Sequence, residues 1–406
     1  MRLLIADKLH PRAIEELRTL PVEVEYDPDI TKESLEARIG SVGILIVRST
    51  EVTAQAIDAA KQLHLIVRAG ASYETIDVRA ASRRGIYVAN VPGKNAAAVA
   101  ELVFGLLVCL DRRIPDAVAS LRAGKWERAE FGKAEGLYGK TLGIAGLGAI
   151  GREVAHRARD FGLHVVAWSR SLTPARATEL GVGYAATLEE LASRSHILSL
   201  HLALNERTKG IVGERVLSAL PTRAMLINTA RADLVDHDAL KNAVVRRGLR
   251  VALDVIPDEP KGRTTHASPL FNVASESGGL VYGTPHIAAS TDQAQLAIAI
   301  ETVKVVRAFL LEGAMPTFVN VSSMSAARFQ MVIRMLDRVG TFANALAVLK
   351  RHGINVESVT NTTFEGGGAA CAKLKVLTRP SEACLQEIRA FDEVLHVDVV
   401  PLPNLA

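Results

Sequence analysis

Three glycines near the middle of the chain follow a G-x-G-x-x-G pattern, in the run Gly146-Leu147-Gly148-Ala149-Ile150-Gly151. Apolar residues 141–145 before the run predict a buried strand, and the residues after it have helical spacing. In a strand–turn–helix unit of this kind, the free N–H groups of the helix N-terminus point at an anion. The run therefore predicts a dinucleotide site in which Gly146, Gly148, Ala149, Ile150 and Gly151 contact the pyrophosphate.

The helix and strand beyond the glycine run complete a strand–helix–strand unit. Gly162 is suited to a left-handed cap at the end of the helix, and residues 163–168 predict a second buried strand. We expect the helix to bury one apolar face, which consists of Val154, Ala155, Ala158 and Phe161.

Ser169 and Arg170 end this second strand, where an NAD-binding fold usually carries a carboxylate for the ribose 2′-hydroxyl. A hydroxyl beside a guanidinium would instead bind a 2′-phosphate, so the pair favours NADP. Binding of the ribose by backbone groups leaves NAD as the alternative.

The composition restricts the class of protein. The 406 residues are 49% hydrophobic and only 4% aromatic, which is typical of α/β enzymes with cores of Ala, Val and Leu. Because the net charge is only +4 and the arginines are dispersed, we expect no nucleic-acid partner. The cysteines at 109, 371 and 384 have neither disulfide nor metal-site spacing, which favours a reducing cytoplasm and predicts no metal ion.

The sequence also predicts no membrane partner. The longest apolar stretch, residues 96–110, is shorter than a membrane span and is interrupted by Glu101. Residues 1–8 leave no room for a secretory apolar region. We therefore expect a cytoplasmic protein.

Strand and helix patterns alternate over most of the chain, which predicts parallel sheets flanked by helices. The first 95 residues contain predicted strands at 3–6, 22–24, 44–47, 65–67 and 86–89, with helices near Pro11 and after Thr53. A long helix over 96–113 leads to the glycine run, and further strands are predicted at 196–202, 225–228 and 251–255. A helical pattern at 294–311 could return to the first sheet. Residues 114–138 have no clear period, and we interpret them as an arm that packs on another subunit.

The last 80 or so residues have a different pattern. They predict a strand (329–335), a helix (340–352), two strands (355–362 and 369–377) around a triple-glycine turn at 366–368, a helix (381–390) and a strand (394–400). This is a repeated split β-α-β unit, which predicts a small separate α+β domain.

Several segments together resemble the D-isomer-specific 2-hydroxyacid dehydrogenases, and most closely the branch that acts on 3-phosphoglycerate. The resemblance covers nearly all of residues 40–325. The segments that carry it are Val47-Arg48-Ser49, Arg68-Ala69-Gly70, residues 80–86, Gly124-Lys125-Trp126-Glu127-Arg128, the glycine run, Asn228-Thr229-Ala230-Arg231, Ala252-Leu253-Asp254-Val255 and Thr284-Pro285-His286.

The resemblance implies a flavodoxin-like substrate-binding domain of residues 1–95 and 290–325, and a Rossmann dinucleotide-binding domain of residues 96–289. Residues 328–406 resemble a ferredoxin-like ACT domain, a regulatory module that binds amino acids between paired copies. The expected protein is thus a homodimer or homotetramer with a small-molecule substrate and an amino-acid effector.

The resemblance also implies a catalytic set of Arg231, Glu259 and His286. A planar guanidinium can bind the carboxylate of a 2-keto acid and polarise its carbonyl, which suits Arg231. Hydride transfer to C2 leaves an alkoxide that needs a proton, and histidine can supply one near neutral pH. A carboxylate beside that imidazole, implied to be Glu259, would fix its tautomer and favour its charged form.

Further site residues follow from the same resemblance. Arg48 and Ser49 match positions that help to bind the substrate phosphate. The implied substrate-binding residues are Arg48, Ser49, Arg68, Ser72 and Asn95. The implied cofactor-binding residues, beyond the glycine run and the Ser169-Arg170 pair, are Ala71, Leu202, Thr229, Ala230, Asp254 and Ala288.

Three departures from the family pattern put the substrate, more than the reaction, in question. Glycines are usual at the positions of Ala232 and Ala288, and the loop at 71–75, read here as Ala-Ser-Tyr-Glu-Thr, is usually glycine-rich. Two alternative functions remain open: an NADPH-linked glyoxylate or hydroxypyruvate reductase, and a dinucleotide-sensing corepressor that binds protein partners.

Overall fold

The computed structural model describes residues 1–257, 259–260, 264–265, 268–273, 278–312, 317–322 and 325–403. The chain divides into two compact units, Met1–Asn320 and Val321–Ala406. Among the described helices, none is long and apolar enough to cross a bilayer.

The first sheet of the larger unit has five parallel strands in the order β2-β1-β3-β4-β5, as in flavodoxin-like folds. The strands are β1 (Arg2–Ile5), β2 (Glu23–Tyr26), β3 (Val42–Val47), β4 (Leu65–Arg68) and β5 (Tyr87–Asn90). The helices are α1 (Pro11–Leu17), α2 (Lys32–Arg38), α3 (Ala54–Ala59) and α4 (Val78–Arg83). All six residues of β3 are buried, as expected for a central parallel strand covered on both faces.

The second sheet has seven parallel strands in the order β12-β11-β10-β9-β6-β7-β8, which is the Rossmann arrangement with one strand added. The strands are β6 (Thr141–Ala145), β7 (His164–Trp168), β8 (Gly183–Tyr184), β9 (Ile197–Leu200), β10 (Met225–Asn228), β11 (Arg250–Leu253) and β12 (Leu280–Gly283). The helices are α5 (Ala96–Arg112), α6 (Ile114–Arg122), α7 (Arg128–Phe131), α8 (Ala149–Asp160), α9 (Pro174–Glu179), α10 (Leu188–Ser193), α11 (Glu214–Ala219) and α12 (His237–Arg247).

Helix α13 (Asp292–Arg307) returns to the first sheet, as the sequence predicts. Its buried Ile298, Val303 and Val306 pack in one cluster with Leu3 and Ile5 of β1. The chain therefore crosses from the first sheet to the second and back. The finer domain limits at 95, 289 and 328 stay predictions.

Two expectations for the second sheet are wrong. Phe161 is 41% exposed, because α8 ends at Asp160 and Phe161 occupies its C-cap. The centre of its ring lies 4.6 Å from that of Phe104. Residues 114–138 were expected to have no clear period, but they include the helices α6 and α7. Ile114, Val118 and Leu121 lie on one face of α6 and are exposed, so this helix has helical spacing without a core contact.

The smaller unit folds as β13 (Phe329–Leu336), α14 (Thr341–Arg351), β14 (Val356–Thr363), β15 (Ala369–Val376), α15 (Glu382–Arg389) and β16 (Val394–Pro401). Its sheet is antiparallel in the order β14-β15-β13-β16, the ferredoxin-like arrangement. The six elements follow the predicted order. Residues 404–406 of the predicted domain lie outside the described residues.

Candidate active site

The predicted site residues of the second sheet lie where its parallel strands end. Gly146 follows β6, Leu202 follows β9, Thr229 and Arg231 follow β10, and Asp254 follows β11. Ser169 follows β7 and His286 follows β12. Because parallel strands end at the same edge of a sheet, these residues share one crevice, where doubly wound folds bind their ligands.

The glycine turn has the geometry that the sequence predicts. Gly146 has φ +97, and a Cβ there would lie 2.6 Å from the carbonyl oxygen of His201. A Cβ at Gly151 would lie 2.1 Å from the Gly146 carbonyl oxygen, so this glycine lets α8 pack closely on the turn. A Cβ at Gly148, in contrast, would meet no atom of the described residues within 4 Å. The first and third glycines thus form the turn, and the second leaves room for a ligand to approach.

The residues around this turn fit a dinucleotide. Gly148 is the N-cap of α8, and no side chain of the described residues caps it, so the first N–H groups of the helix are available to an anion. The buried hydroxyl Oγ1 of Thr229 likewise has no hydrogen-bond partner within the described part of the chain. Leu202 packs beside Gly146, since its Cδ2 lies 3.0 Å from a Cβ built there.

The ribose end of the site lies beside β7. The N–H of Gly146 donates to the Trp168 carbonyl oxygen at 2.8 Å, which brings the half-buried Ser169 and the exposed Arg170 next to the glycine turn. An open cleft of about 260 Å³ lies between Trp168 and the loop that contains Thr187. The position of the pair suits the predicted contact with a ribose or its 2′-phosphate.

His286 and Glu259 form a direct pair. The imidazole Nδ1 donates to Oε2 of Glu259 at 2.6 Å, and Oε1 accepts from the N–H of Ile256 at 3.2 Å. Because the carboxylate accepts the Nδ1 proton, Nε2 is the nitrogen that can exchange a proton with a substrate. The His286 side chain is half exposed, so a substrate can reach it.

Asp254 holds the loop that carries His286. Its carboxylate is buried and accepts hydrogen bonds from Thr284 Oγ1 at 2.6 Å and from the N–H groups of Ile287 at 2.8 Å and Ala288 at 2.9 Å. The N–H of His286 donates to the Asp254 carbonyl oxygen at 2.9 Å. His286 has φ +54, a left-handed conformation that is unfavourable for a residue other than glycine. Asp254 therefore fixes the backbone of His286, while its predicted contact with the cofactor stays a prediction.

Arg231 contacts a residue that the sequence does not predict for the site. Its Nε and Nη2 donate to Oε2 of Glu74 at 3.3 and 3.2 Å, and its Nη1 donates to the Ala230 carbonyl oxygen at 2.6 Å. The turn is held by buried Asn228, which accepts from the N–H of Ala230 at 3.0 Å and donates to the Arg231 carbonyl oxygen at 2.8 Å. The guanidinium is thus aimed across the crevice at the 71–75 loop of the first sheet.

Three guanidiniums come together at this point. Burial, with a smaller contribution from the neighbouring charges of Arg48 and Arg231, lowers the pKa of Arg68 to about 10. Burial also lowers the pKa of Arg48. A Cβ at Gly70 would overlap Nη1 of Arg68 at 1.5 Å, so this glycine gives the Arg68 side chain its space. The cluster has the positive charge that an anionic ligand requires.

Asp7, at the end of β1, supports the Arg48 loop. A single oxygen, Oδ2, accepts from the N–H groups of Arg48, Ser49 and Thr50 at 2.7, 3.0 and 3.0 Å. The Ser49 backbone is therefore occupied by an internal carboxylate. The sequence feature that could have indicated this role of Asp7 is its position as an acidic residue directly after the buried residues 3–6, at the edge where ligands bind.

The other predicted residues lie in nearby loops. The carbonyl oxygen of Ala71 accepts from Nδ2 of Asn90 at 2.6 Å, and Ser72 is half-buried beside it. Asn95 is the half-buried N-cap of α5, and its loop approaches the dinucleotide turn, since a Cβ at Gly93 would lie 3.5 Å from the Ala149 Cβ. The sequence assigns no role to Asp7, Glu74, Asn90 or Asn228, although Glu74 lies in the 71–75 loop and Asn228 directly precedes Thr229.

Comparisons with known proteins identify relatives of this chain. Residues 104–288 match the family described as D-isomer specific 2-hydroxyacid dehydrogenase, NAD binding domain. The chain is 38% identical over 319 residues to a D-3-phosphoglycerate dehydrogenase of Methanocaldococcus jannaschii, with 77% of this chain and 59% of that relative covered. It is 34% identical over 385 residues to the D-3-phosphoglycerate dehydrogenase of Rattus norvegicus, with 93% and 69% covered.

Solved structures show the same similarity. The NAD+-bound 3-phosphoglycerate dehydrogenase of Entamoeba histolytica superposes with a TM-score of 0.66 at 28% identity, with 79% of this chain and 99% of that one covered. The chain spans about three fifths of the length of several curated relatives that it matches. Fold, site geometry and similarity agree, and the chain belongs to the D-isomer specific 2-hydroxyacid dehydrogenase family.

Proposed function

We propose that this chain is an NAD(P)-dependent dehydrogenase that interconverts 3-phosphoglycerate and 3-phosphohydroxypyruvate. The observation that carries the proposal is the cluster of Arg48, Arg68 and Arg231 at the crevice that also holds the His286–Glu259 pair. A substrate with a carboxylate at one end and a phosphate at the other can engage several guanidiniums through charge-assisted bonds. Glyoxylate has no second anionic group for Arg48 and Arg68.

The chemistry divides among the residues as follows. The nicotinamide, when bound, accepts or donates the hydride at C2 of the substrate. Arg231 binds the substrate carboxylate and polarises the C2 oxygen. Nε2 of His286 takes the hydroxyl proton in oxidation and returns one to the alkoxide in reduction, and Glu259 holds Nδ1–H so that Nε2 is free for this transfer. Asp254 keeps the His286 loop in its left-handed conformation.

Cofactor choice between NAD and NADP rests on Ser169 and Arg170. The absence of a carboxylate at these two positions removes the usual repulsion against a 2′-phosphate, so NADP is the favoured cofactor in this proposal. The N-terminus of α8 would hold the pyrophosphate with either cofactor.

Residues 328–406 are proposed to be an ACT-like regulatory module. In support, they lie in a separate unit with a ferredoxin-like strand order, and none of the proposed catalytic residues is in it. Serine, the product of the pathway that would use this reaction, is the amino acid to test as effector. A cytoplasmic homodimer or homotetramer completes the proposal.

A substrate panel tests the function. Phosphohydroxypyruvate, hydroxypyruvate and glyoxylate are supplied with NADH or NADPH, and nicotinamide absorbance is followed. The proposal predicts the highest kcat/KM for phosphohydroxypyruvate. A preference for glyoxylate would support the reductase alternative, which the names of the curated relatives do not favour. No turnover of any keto acid, with the cofactor bound, would support a binding protein. Inhibition by serine tests the regulatory module separately.

A further inference from the structure

The contact between Glu74 and Arg231 occupies one of the two guanidinium edges that can bind a carboxylate. Oε2 of Glu74 lies within hydrogen-bond distance of both Nε and Nη2, on one edge of the planar fork. The opposite side is engaged through Nη1 by the Ala230 carbonyl oxygen at 2.6 Å. A guanidinium has two edges that can bind a carboxylate with two hydrogen bonds, and Glu74 occupies the edge formed by Nε and Nη2. A substrate carboxylate that uses this edge must displace Glu74.

Glu74 is also the carboxylate of this cluster that can move. Asp7, the other acidic group beside the three arginines, is fixed because one of its oxygens accepts from three consecutive backbone N–H groups. Glu74 is half exposed, it projects from the loop at 71–75, and the hydrogen bonds that the structure describes for its side chain are those to Arg231. Displacement of Glu74 would release its carboxylate into water without breaking other described contacts.

We infer that Glu74 is an internal competitor for the substrate: its carboxylate pairs with Arg231 in the substrate-free protein and must leave before a 2-keto acid can bind there. This inference rests on the proposed role of Arg231 as the substrate-carboxylate ligand. It does not depend on the substrate phosphate, because the competition is for Arg231 alone. Every 2-keto acid that uses Arg231 meets the same competitor, so the effect on KM is similar for phosphorylated and unphosphorylated substrates.

Glu74→Gln tests the inference, because glutamine keeps the size of the side chain and removes its charge. Glu16→Gln is the matched control, since Glu16 forms an exposed pair with Arg12 on α1 at 3.2 Å. The dissociation constant of oxalate, a non-reacting dicarboxylate, is measured by calorimetry in the presence of saturating NADH or NADPH. A partly exposed ion pair corresponds to about a two- to fivefold change in affinity, so oxalate is expected to bind that much more tightly to Glu74→Gln. The control is expected to match the wild type.

Kinetics separate competition from positioning. Competition predicts a KM for hydroxypyruvate and for phosphohydroxypyruvate that falls by a similar factor in Glu74→Gln, with kcat maintained. If Glu74 instead orients Arg231 for catalysis, kcat falls and KM does not. Either that result, or oxalate binding to a folded Glu74→Gln protein that is no tighter than to the wild type, overturns the inference. A wild type that reduces only unphosphorylated keto acids would refute the proposed substrate and leave the Glu74 test intact.

Discussion

Replacement of Asp254 by asparagine is expected to reduce turnover through its effect on His286. The oxygen of asparagine can still accept from Thr284 and Ile287. Its NH₂ group then replaces Oδ2, which accepts from the N–H of Ala288 at 2.9 Å, so that hydrogen bond is lost. Two buried donors without an acceptor would destabilise the native loop by about 1–3 kcal/mol. A left-handed conformation at His286 is itself unfavourable by about 1–3 kcal/mol, so loss of this bond favours other backbone conformations of the loop.

The expected result is a fall in kcat with the cofactor KM maintained. Displacement of a catalytic group by about 1 Å can reduce the rate by about 10²-fold, which sets the scale for Asp254→Asn. Steady-state kinetics for substrate and cofactor are measured beside the thermal unfolding midpoint. The control is Asp58→Asn, because Asp58 is an exposed carboxylate paired with Arg84 at 3.6 Å. A folded variant with wild-type kcat and a raised cofactor KM would refute the positioning role and favour the direct contact with the cofactor.

The remaining predictions concern the cofactor and the substrate. Ser169→Asp should move the ratio of kcat/KM values toward NADH by repelling a 2′-phosphate, and an unchanged ratio, or a wild type that already prefers NADH, would exclude this role. Gly151→Ala should raise the cofactor KM and lower the unfolding midpoint, because its Cβ would lie 2.1 Å from a backbone oxygen. The matched control is Gly105→Ala in helix α5, where a Cβ would meet no described atom within 4 Å. Arg48→Ala should weaken the binding of phosphohydroxypyruvate more than that of hydroxypyruvate. Equal losses of affinity for the two substrates would show that Arg48 does not bind the phosphate.

The sequence predicts well those features that depend on local pattern. The glycine turn, the strand that precedes it and the open position at Gly148 follow from residues within one strand–turn–helix unit. Strand ends are predictable for the same reason, and parallel pairing then places Arg231, after β10, and Asp254, after β11, at one edge. The strand before His286, β12, was not predicted from the pattern, so the assignment of His286 to the site came from the resemblance. Family resemblance, in turn, supplied the pairing of His286 with Glu259, which lies 27 residues earlier in the chain.

What the sequence could not predict depends on contacts between distant loops. Glu74 and Arg231 are 157 positions apart, and the loop at 71–75 departs from the family pattern, so neither periodicity nor resemblance indicated their contact. Phe161 continues the apolar spacing of α8, but the helix ends one residue before it, and helix ends are the least predictable feature of a pattern. The exposed face of α6 has helical spacing, yet none of its residues is buried against the described part of the chain.

The proposed reaction depends most directly on His286. The measurement is kcat for phosphohydroxypyruvate reduction by the wild type and by His286→Ala, with the cofactor dissociation constant determined for both. Removal of a general acid–base group lowers turnover by about 10²–10⁴-fold, and that loss is expected here with cofactor binding maintained. A folded His286→Ala protein that reduces phosphohydroxypyruvate at close to the wild-type kcat would contradict the proposed mechanism.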